Sequence, residues 1–338
     1  MTLEESISLL VQRRDLTESQ AADAMRSFMT GVATPAQMAG FLVALRMKGE
    51  TIDEITGFAK TMRELATRVP TSRRPLVDTC GTGGAQSGTF NISTTAAFVV
   101  AGAGVAVAKH GNRSATRPCG SADVLEALGV NINASAEKVG ACIDRIGIGF
   151  LFARNLHGAM KHVAGVRQEL KIRTVFNILG PLTNPAGACG QVMGVPEARL
   201  VEPLARVLSN LGVRCAYVVN GSDGMDELTL SGASSVAEVQ NGKVAVYEMR
   251  PELLGLARAP KDALLGSDPA SNAALLREVL QGKPGPHRDV VLYNAAPAIM
   301  AGEAAKDWVE GLNLARASID SGAALEKLEA LIRDSHDS

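Results

Sequence analysis

Through the first 68 residues, apolar stretches such as AGFLVALRMKG (39–49) alternate with short polar punctuation that reads as helix starts. Thr2 with Glu5, Thr17 with Gln20, Thr34 with Gln37 and Thr51 with Glu54 each fit the capping box. In that motif a hydroxyl and an acid or amide satisfy free helix amides reciprocally. Pro35 stands where a first-turn proline is tolerated, and Gly49 is placed to end its helix. The pattern predicts four short helices in a small helical domain, residues 1–70. A composition break follows at TRVPTSRRP, and a second domain is expected over 75–338.

Beyond the break, short apolar runs alternate with helical stretches. Strands are expected at PLVDTC, VAVAK, IGIGFLFA and CAYVVNG, with helices at 94–102, 120–129, 157–170 and 197–212. VAEVQNGKVAVYEM reads as a hairpin turning at Asn241-Gly242, and DVVLYNAA opens a last strand-plus-helix stretch. The fold class is therefore α/β, a small helical domain plus a larger one whose largely parallel sheet is flanked by helices. Such sheets take ligands at the carboxyl ends of their strands.

Composition narrows the function classes. Hydrophobic residues make up 46% of the 338, enough for a sizeable core, while aromatics are only 4%, so that core is aliphatic. With 34 Lys+Arg against 35 Asp+Glu the net charge is −1, which argues against nucleic-acid or anionic-membrane binding through bulk charge. The apolar run from Ala96 to Ala108, broken by Gly102 and Gly104, is too short to span a bilayer, and the first residues do not follow the signal-peptide pattern. Five scattered cysteines (Cys80, Cys119, Cys142, Cys189, Cys215) without CxxC or zinc spacing read as reduced thiols, the usage of a cytoplasmic protein.

Candidate chemistry gathers at strand ends. DTCGTGGAQSGTFNIST (78–94) leaves the first strand rich in glycine and hydroxyls. Glycine-rich backbone can surround an anionic oxygen, and a helix N-terminus adds partial positive charge. The spacing fits neither GxGxxG nor GxxxxGK[ST], so a phosphate cradle and a plain strand-to-helix turn both stay open. The second strand ends in KHGNRS, where Lys109 offers a point charge and Asn112 and Arg113 offer directed donors, unless this is a solvated basic loop. Ser121, opening the next helix, is either a third donor or an ordinary cap.

Asp226 and Glu227 in DGMDEL follow another strand. Adjacent carboxylates suit Mg²⁺, which prefers one or two carboxylates plus phosphate oxygens; an acidic surface turn is the alternative. In HGAMKHVAGVRQEL, Arg167 can pair with a substrate carboxylate or serve structurally, and the histidines lack zinc spacing. Ser135 with Lys138 matches SxxK but reads as a helix start. RTVFNILGPLTNPAG is expected as an ordered loop able to wall a pocket.

Taken in order, TPAQMAGFLVALRMKGET, DTCGTGG, NIST, KHGNR, GSADVLEALG, RTVFNILGPLTNP and GMDEL resemble the anthranilate phosphoribosyltransferases of tryptophan biosynthesis over essentially the whole chain. The resemblance implies transfer from phosphoribosyl pyrophosphate (PRPP) to anthranilate with Mg²⁺, two ions per subunit, in a cytoplasmic homodimer paired through the helical domain. It also implies that a segment near 165–185 packs back on that domain.

Carried over by motif, PRPP contacts would come from Gly81, Gly83, Gly84, Ala85, Thr89, Asn91, Ile92, Ser93 and Thr94 in the first loop. Lys109, His110, Gly111, Asn112, Arg113 and Ser121 would complete them. Ser93, Asp226 and Glu227 would hold metal; Gly81, His110, Asn112, His157 and Arg167 would meet anthranilate. No strong acid or base is implied, with transition-state support from Lys109 and Arg167. The chain departs from the family pattern at Ala85, where an aspartate is usual, and at Thr116 to Cys119, where serines are usual; weaker PRPP binding is expected. A pyrimidine nucleoside phosphorylase shares the two-domain plan, and an inactive nucleic-acid-binding relative is the rival from another class.

Overall fold

The computed structural model describes residues 1–84, 88–114 and 118–337. Helices α1 (Leu3–Val11), α2 (Glu18–Met29), α3 (Pro35–Lys48) and α4 (Ile52–Leu65) form the N-terminal bundle. All four expected capping boxes are formed: Thr2, Thr17, Thr34 and Thr51 each accept from the third helical amide, and the acid or amide there reaches back. Gly49 ends α3 at φ 93°, a conformation that favours glycine. Phe28, Phe41 and Phe58 stack edge-to-face through the bundle centre.

The larger part is built on one seven-stranded sheet of order β3-β2-β1-β4-β5-β6-β7. Its strands are β1 (Leu76–Gly81), β2 (Ala106–Gly111), β3 (Ile148–Phe152), β4 (Gly190–Gly194), β5 (Cys215–Gly221), β6 (Ser234–Gln240) and β7 (Lys243–Met249). The first five run parallel, and β6 and β7 add an antiparallel hairpin turning at Asn241-Gly242, both at positive φ. Successive strand residues point to opposite faces. Cys215, Tyr217 and Val219 enter the core under helix α5 (Ile92–Gly102) and the helix Pro286–Ala301, while Ala216 and Val218 join the core shared with the N-terminal helices. That second core also takes Val163, Val166, Val175, Phe176, Ile178, Leu179 and Leu182.

Four points of the sequence reading are corrected. DVVLYNAA is helical, inside Pro286–Ala301, not a strand. Its residues 290–299 are buried without a break, so no amphipathic period survives, and an apolar run of that kind does not distinguish strand from buried helix. The central strand β4, with glycine at each end, was not anticipated. The loop RTVFNILGPLTNPAG contains a helical turn, Phe176–Leu179, and the helix expected from residue 157 begins at Lys161 after a 3-10 turn. Ser135 does cap its helix, accepting from the amide of Lys138. Among the described residues, no helix is long and apolar enough to cross a membrane.

Candidate active site

Because β1, β2 and β4 are parallel neighbours, their carboxyl ends lie on one edge of the sheet, and there the chain opens a cavity of about 810 Å³. Gly81, Gly83 and Gly84 form one wall, the latter two at φ 66° and 89°. Asn91, Ile92, Ser93 and Thr94 line it at the start of α5, where Asn91 occupies the cap position without making a cap bond. Its side chain spans elements instead, accepting from Asn272 at 3.0 Å and donating to the carbonyl of Cys119 at 3.5 Å. The Ile92 amide donates to the carbonyl of Phe90 at 2.8 Å, and Ser93 and Thr94, whose amides have no side-chain cap, line the cavity, an anion-binding arrangement.

The end of β2 supplies Lys109, His110, Gly111, Asn112 and Arg113, with Ser121 beside them at the start of helix α6 (Ser121–Ala127). Lys109 is 3% exposed and donates to the carbonyl of Thr79 at 2.5 Å. Burial pushes its ammonium pKa down, against the opposing pull of Asp78, Cys80 and Glu227. Asp78 is wholly buried, and burial pushes its carboxyl up against the pull of Lys109. Its Oδ1 accepts from the amide of His110 at 3.0 Å and its Oδ2 from Asn184 at 2.8 Å. Asn184 also donates to the carbonyl of Ala108 at 2.8 Å, tying the GPLTNP loop to both strands. An anion arriving beside Lys109 favours its charged form.

Arg113 is occupied otherwise: its guanidinium pairs with Asp123 at 2.7 Å and Glu126 at 2.8 Å. His110 and His157 face each other, Nε2 to Nε2 at 3.2 Å. Burial lowers His110 to about 3 and His157 to about 4, so both rings are neutral at neutral pH and one donates to the other.

Asp226 and Glu227 line the same cavity from the turn after β5. Asp223 organises that turn, accepting from Thr229 at 2.7 Å and Ser231 at 2.6 Å while its Oδ1 accepts from the amide of Met225. Gly81 and Gly194 permit the close approach: a Cβ on Gly81 would stand 3.3 Å from Asp226 Oδ2, and one on Gly194 would overlap the Asp226 carbonyl oxygen. Ser93, Asp226 and Glu227 thus share one cavity. Among the described residues no group of three or more His, Cys, Asp or Glu is placed to hold a metal. A cation here would take two carboxylates and a hydroxyl and complete its shell with water or substrate oxygens, a donor set that fits Mg²⁺.

Some expected residues stand apart. Thr89 is buried in a bridge to Leu265 and does not line the cavity. His157 lies behind His110, against a small void with Met29 and Met62. Arg167 is half-buried with its guanidinium 5.3 Å from the centre of the Phe176 ring, off the cavity wall, and burial lowers its pKa. Ala85, Thr116 and Arg117 lie outside the described residues. Arg173 and Asn177, which stand in the RTVFNILGPLTNP stretch, do line the cavity; the sequence points only to a wall formed by that stretch, not to these two side chains.

The glycosyl transferase family matches in two parts, its helical bundle domain over residues 4–66 and its a/b domain over 73–325. The anthranilate phosphoribosyltransferase of Symbiobacterium thermophilum is 57% identical over 97% of this chain and 96% of its own length. The crystal structure of the Thermus thermophilus anthranilate phosphoribosyltransferase superposes with a TM-score of 0.94 at 46% identity, covering 98% of this chain and 99% of that one. The Saccharomyces cerevisiae enzyme in complex with PRPP and Mg superposes at 0.89 with 28% identity over 98% and 97% of the two chains. The same yeast enzyme in complex with 4-fluoroanthranilate gives 0.87 at 27%, with the same coverage. With a bundle, a sheet and a sequence in common from end to end, the chain belongs to the anthranilate phosphoribosyltransferases of the glycosyl transferase family.

Proposed function

We propose that this protein transfers the phosphoribosyl group of PRPP to the amine of anthranilate, giving N-(5-phosphoribosyl)anthranilate and pyrophosphate, in tryptophan biosynthesis. The observation that carries the reading is one cavity at the ends of β1 and β2. It joins a glycine wall, an uncapped helix N-terminus, a buried lysine and a carboxylate pair. The relatives bound to PRPP with Mg and to 4-fluoroanthranilate support it.

In the reaction, the bond from the ribosyl carbon to pyrophosphate oxygen breaks and its electron pair leaves with the diphosphate. The amine lone pair forms the new carbon–nitrogen bond, and the amine proton passes to solvent. Lys109, the amides of Gly83 and Gly84 and those of Ser93 and Thr94 at the start of α5 oppose the negative charge as it develops. Ser93, Asp226 and Glu227 would hold Mg²⁺, two ions per subunit, which would supply further neutralisation of the diphosphate. Anthranilate's amine is already neutral at pH 7, so it needs positioning rather than a base. The neutral His110 and His157 suit that demand.

The same reading includes PRPP contacts from the cavity-lining residues of the two loops, Ser121 included, and acceptor contacts from Gly81, His110 and Asn112, with His157 and Arg167 standing behind the wall. It also includes a domain boundary between residues 70 and 75, a cytoplasmic location and a homodimer paired through the helical part. Exposed Val11, Val32 and Met47 on that part support the pairing. The test supplies pure protein with PRPP, Mg²⁺ and anthranilate and measures pyrophosphate. Release that requires anthranilate supports the reading; phosphorolysis of thymidine or uridine instead would replace it with a nucleoside phosphorylase.

A further inference from the structure

The cavity's described cations are not equally committed. Lys109 donates to Thr79 and feels Asp78 and Glu227, and Arg113 is held by Asp123 and Glu126. Arg167, the arginine singled out by motif, covers the ring of Phe176 and does not reach the wall. Arg173 does line the cavity, is exposed, and makes no hydrogen bond or ion pair among the described residues; the carboxylate of nearby Glu197 is taken by Arg199 at 2.7 Å. Its guanidinium lies so close over Gly84 that a Cβ there would overlap it. Its backbone is anchored, because the next amide, Thr174, donates to Asn177 Oδ1 at 2.9 Å, and Asn177 is itself part of the wall.

An arginine with a fixed base and an uncommitted planar fork, set against a glycine loop in a cavity built for anions, is suited to bidentate recognition of an oxyanion. We infer that Arg173 is a further substrate-binding residue, whose guanidinium takes an oxyanion of a substrate at the Gly81–Gly84 loop. Both reactants carry such a group, a carboxylate on the acceptor and a diphosphate on PRPP. The inference rests on the proposed function for the identity of those reactants, but not for the anion itself.

The experiment uses the full chain with Arg173→Gln and Arg173→Lys, measuring KM for anthranilate and PRPP, kcat, and calorimetric binding of pyrophosphate and of anthranilate. Loss of one bidentate, charge-assisted contact is expected to raise one KM by about tenfold or more with a much smaller change in kcat. Arg173→Lys, which keeps the charge but not the fork, recovers only part. A rise confined to anthranilate identifies the carboxylate; a rise for PRPP with weakened pyrophosphate binding identifies the diphosphate. Both KM values within twofold of the parent would overturn the inference. If the parent protein gives no turnover, Arg173-dependent binding of either anion would keep the inference while the proposed reaction falls, and Arg173-independent binding, or none, would end it.

Discussion

Asn294 holds the backbone of Leu228 at both ends: its Oδ1 accepts from the amide at 2.9 Å and its Nδ2 donates to the carbonyl at 3.0 Å. Leu228 directly follows Asp226 and Glu227, so the helix Pro286–Ala301 fixes the carboxylate pair from behind while Asp223 fixes it from in front. Asn294→Leu leaves two buried backbone groups unpartnered, at about 1–3 kcal/mol each. We expect a lower melting temperature together with a higher half-saturating Mg²⁺ concentration. An unchanged Mg²⁺ requirement in the folded variant would show that the clamp serves stability alone.

Gly194→Ala attacks the same pair from the sheet. The new methyl group overlaps the carbonyl oxygen of Asp226, so the turn has to move. A displacement near 1 Å at a reacting centre costs about 100-fold. Steady-state kinetics should show a fall of that order in kcat/KM, and activity within about threefold of the parent would mean that the Asp226 position is not critical.

How far these features are written in the sequence depends on their range. The four N-terminal helices are legible because Thr2, Thr17, Thr34 and Thr51 and their partners three residues on satisfy each other locally. The glycine loop and the Lys109 loop are legible because each sits at a strand end, and parallel pairing of β1 with β2 brings them together. Asn184, 106 residues from Asp78, and Asn294, 66 residues from Leu228, carry no local signal; only the fold makes them partners. The same holds for Arg173, whose meaning lies in Gly84 across the cavity, and for Arg167, which a motif places in the site while Phe176 holds it outside.

The facing histidines predict a pH dependence of stability. In the folded chain His157 stays neutral down to about pH 4 and His110 to about pH 3. Unfolded imidazoles, with pKa about 6.5, take up protons as soon as the pH falls below that value. The stabilisation is therefore complete above about pH 6.5 and is lost as the pH falls from there toward 4, with a limiting slope of about 1.4 kcal/mol per pH unit per histidine. Urea midpoints at pH 7 and pH 5 should differ less in the His110→Asn, His157→Gln double variant than in the parent. An equal difference would mean that other groups govern the acid limb.

Ala85 stands in the sequence of the glycine loop where the family resemblance implies an aspartate. If the resemblance holds at this position, Ala85→Asp should lower KM for PRPP. Unchanged or higher KM in the variant would show that the loop already binds PRPP as well as this position allows.

The central claim is the transfer itself, and anthranilate reports on it through its own fluorescence. With the parent protein, PRPP and Mg²⁺, the signal should decay, and omission of PRPP or addition of EDTA should stop the decay. A folded protein that binds PRPP yet leaves anthranilate fluorescence untouched at saturating Mg²⁺ would contradict the account, and the acceptor assignment would be the part that fails.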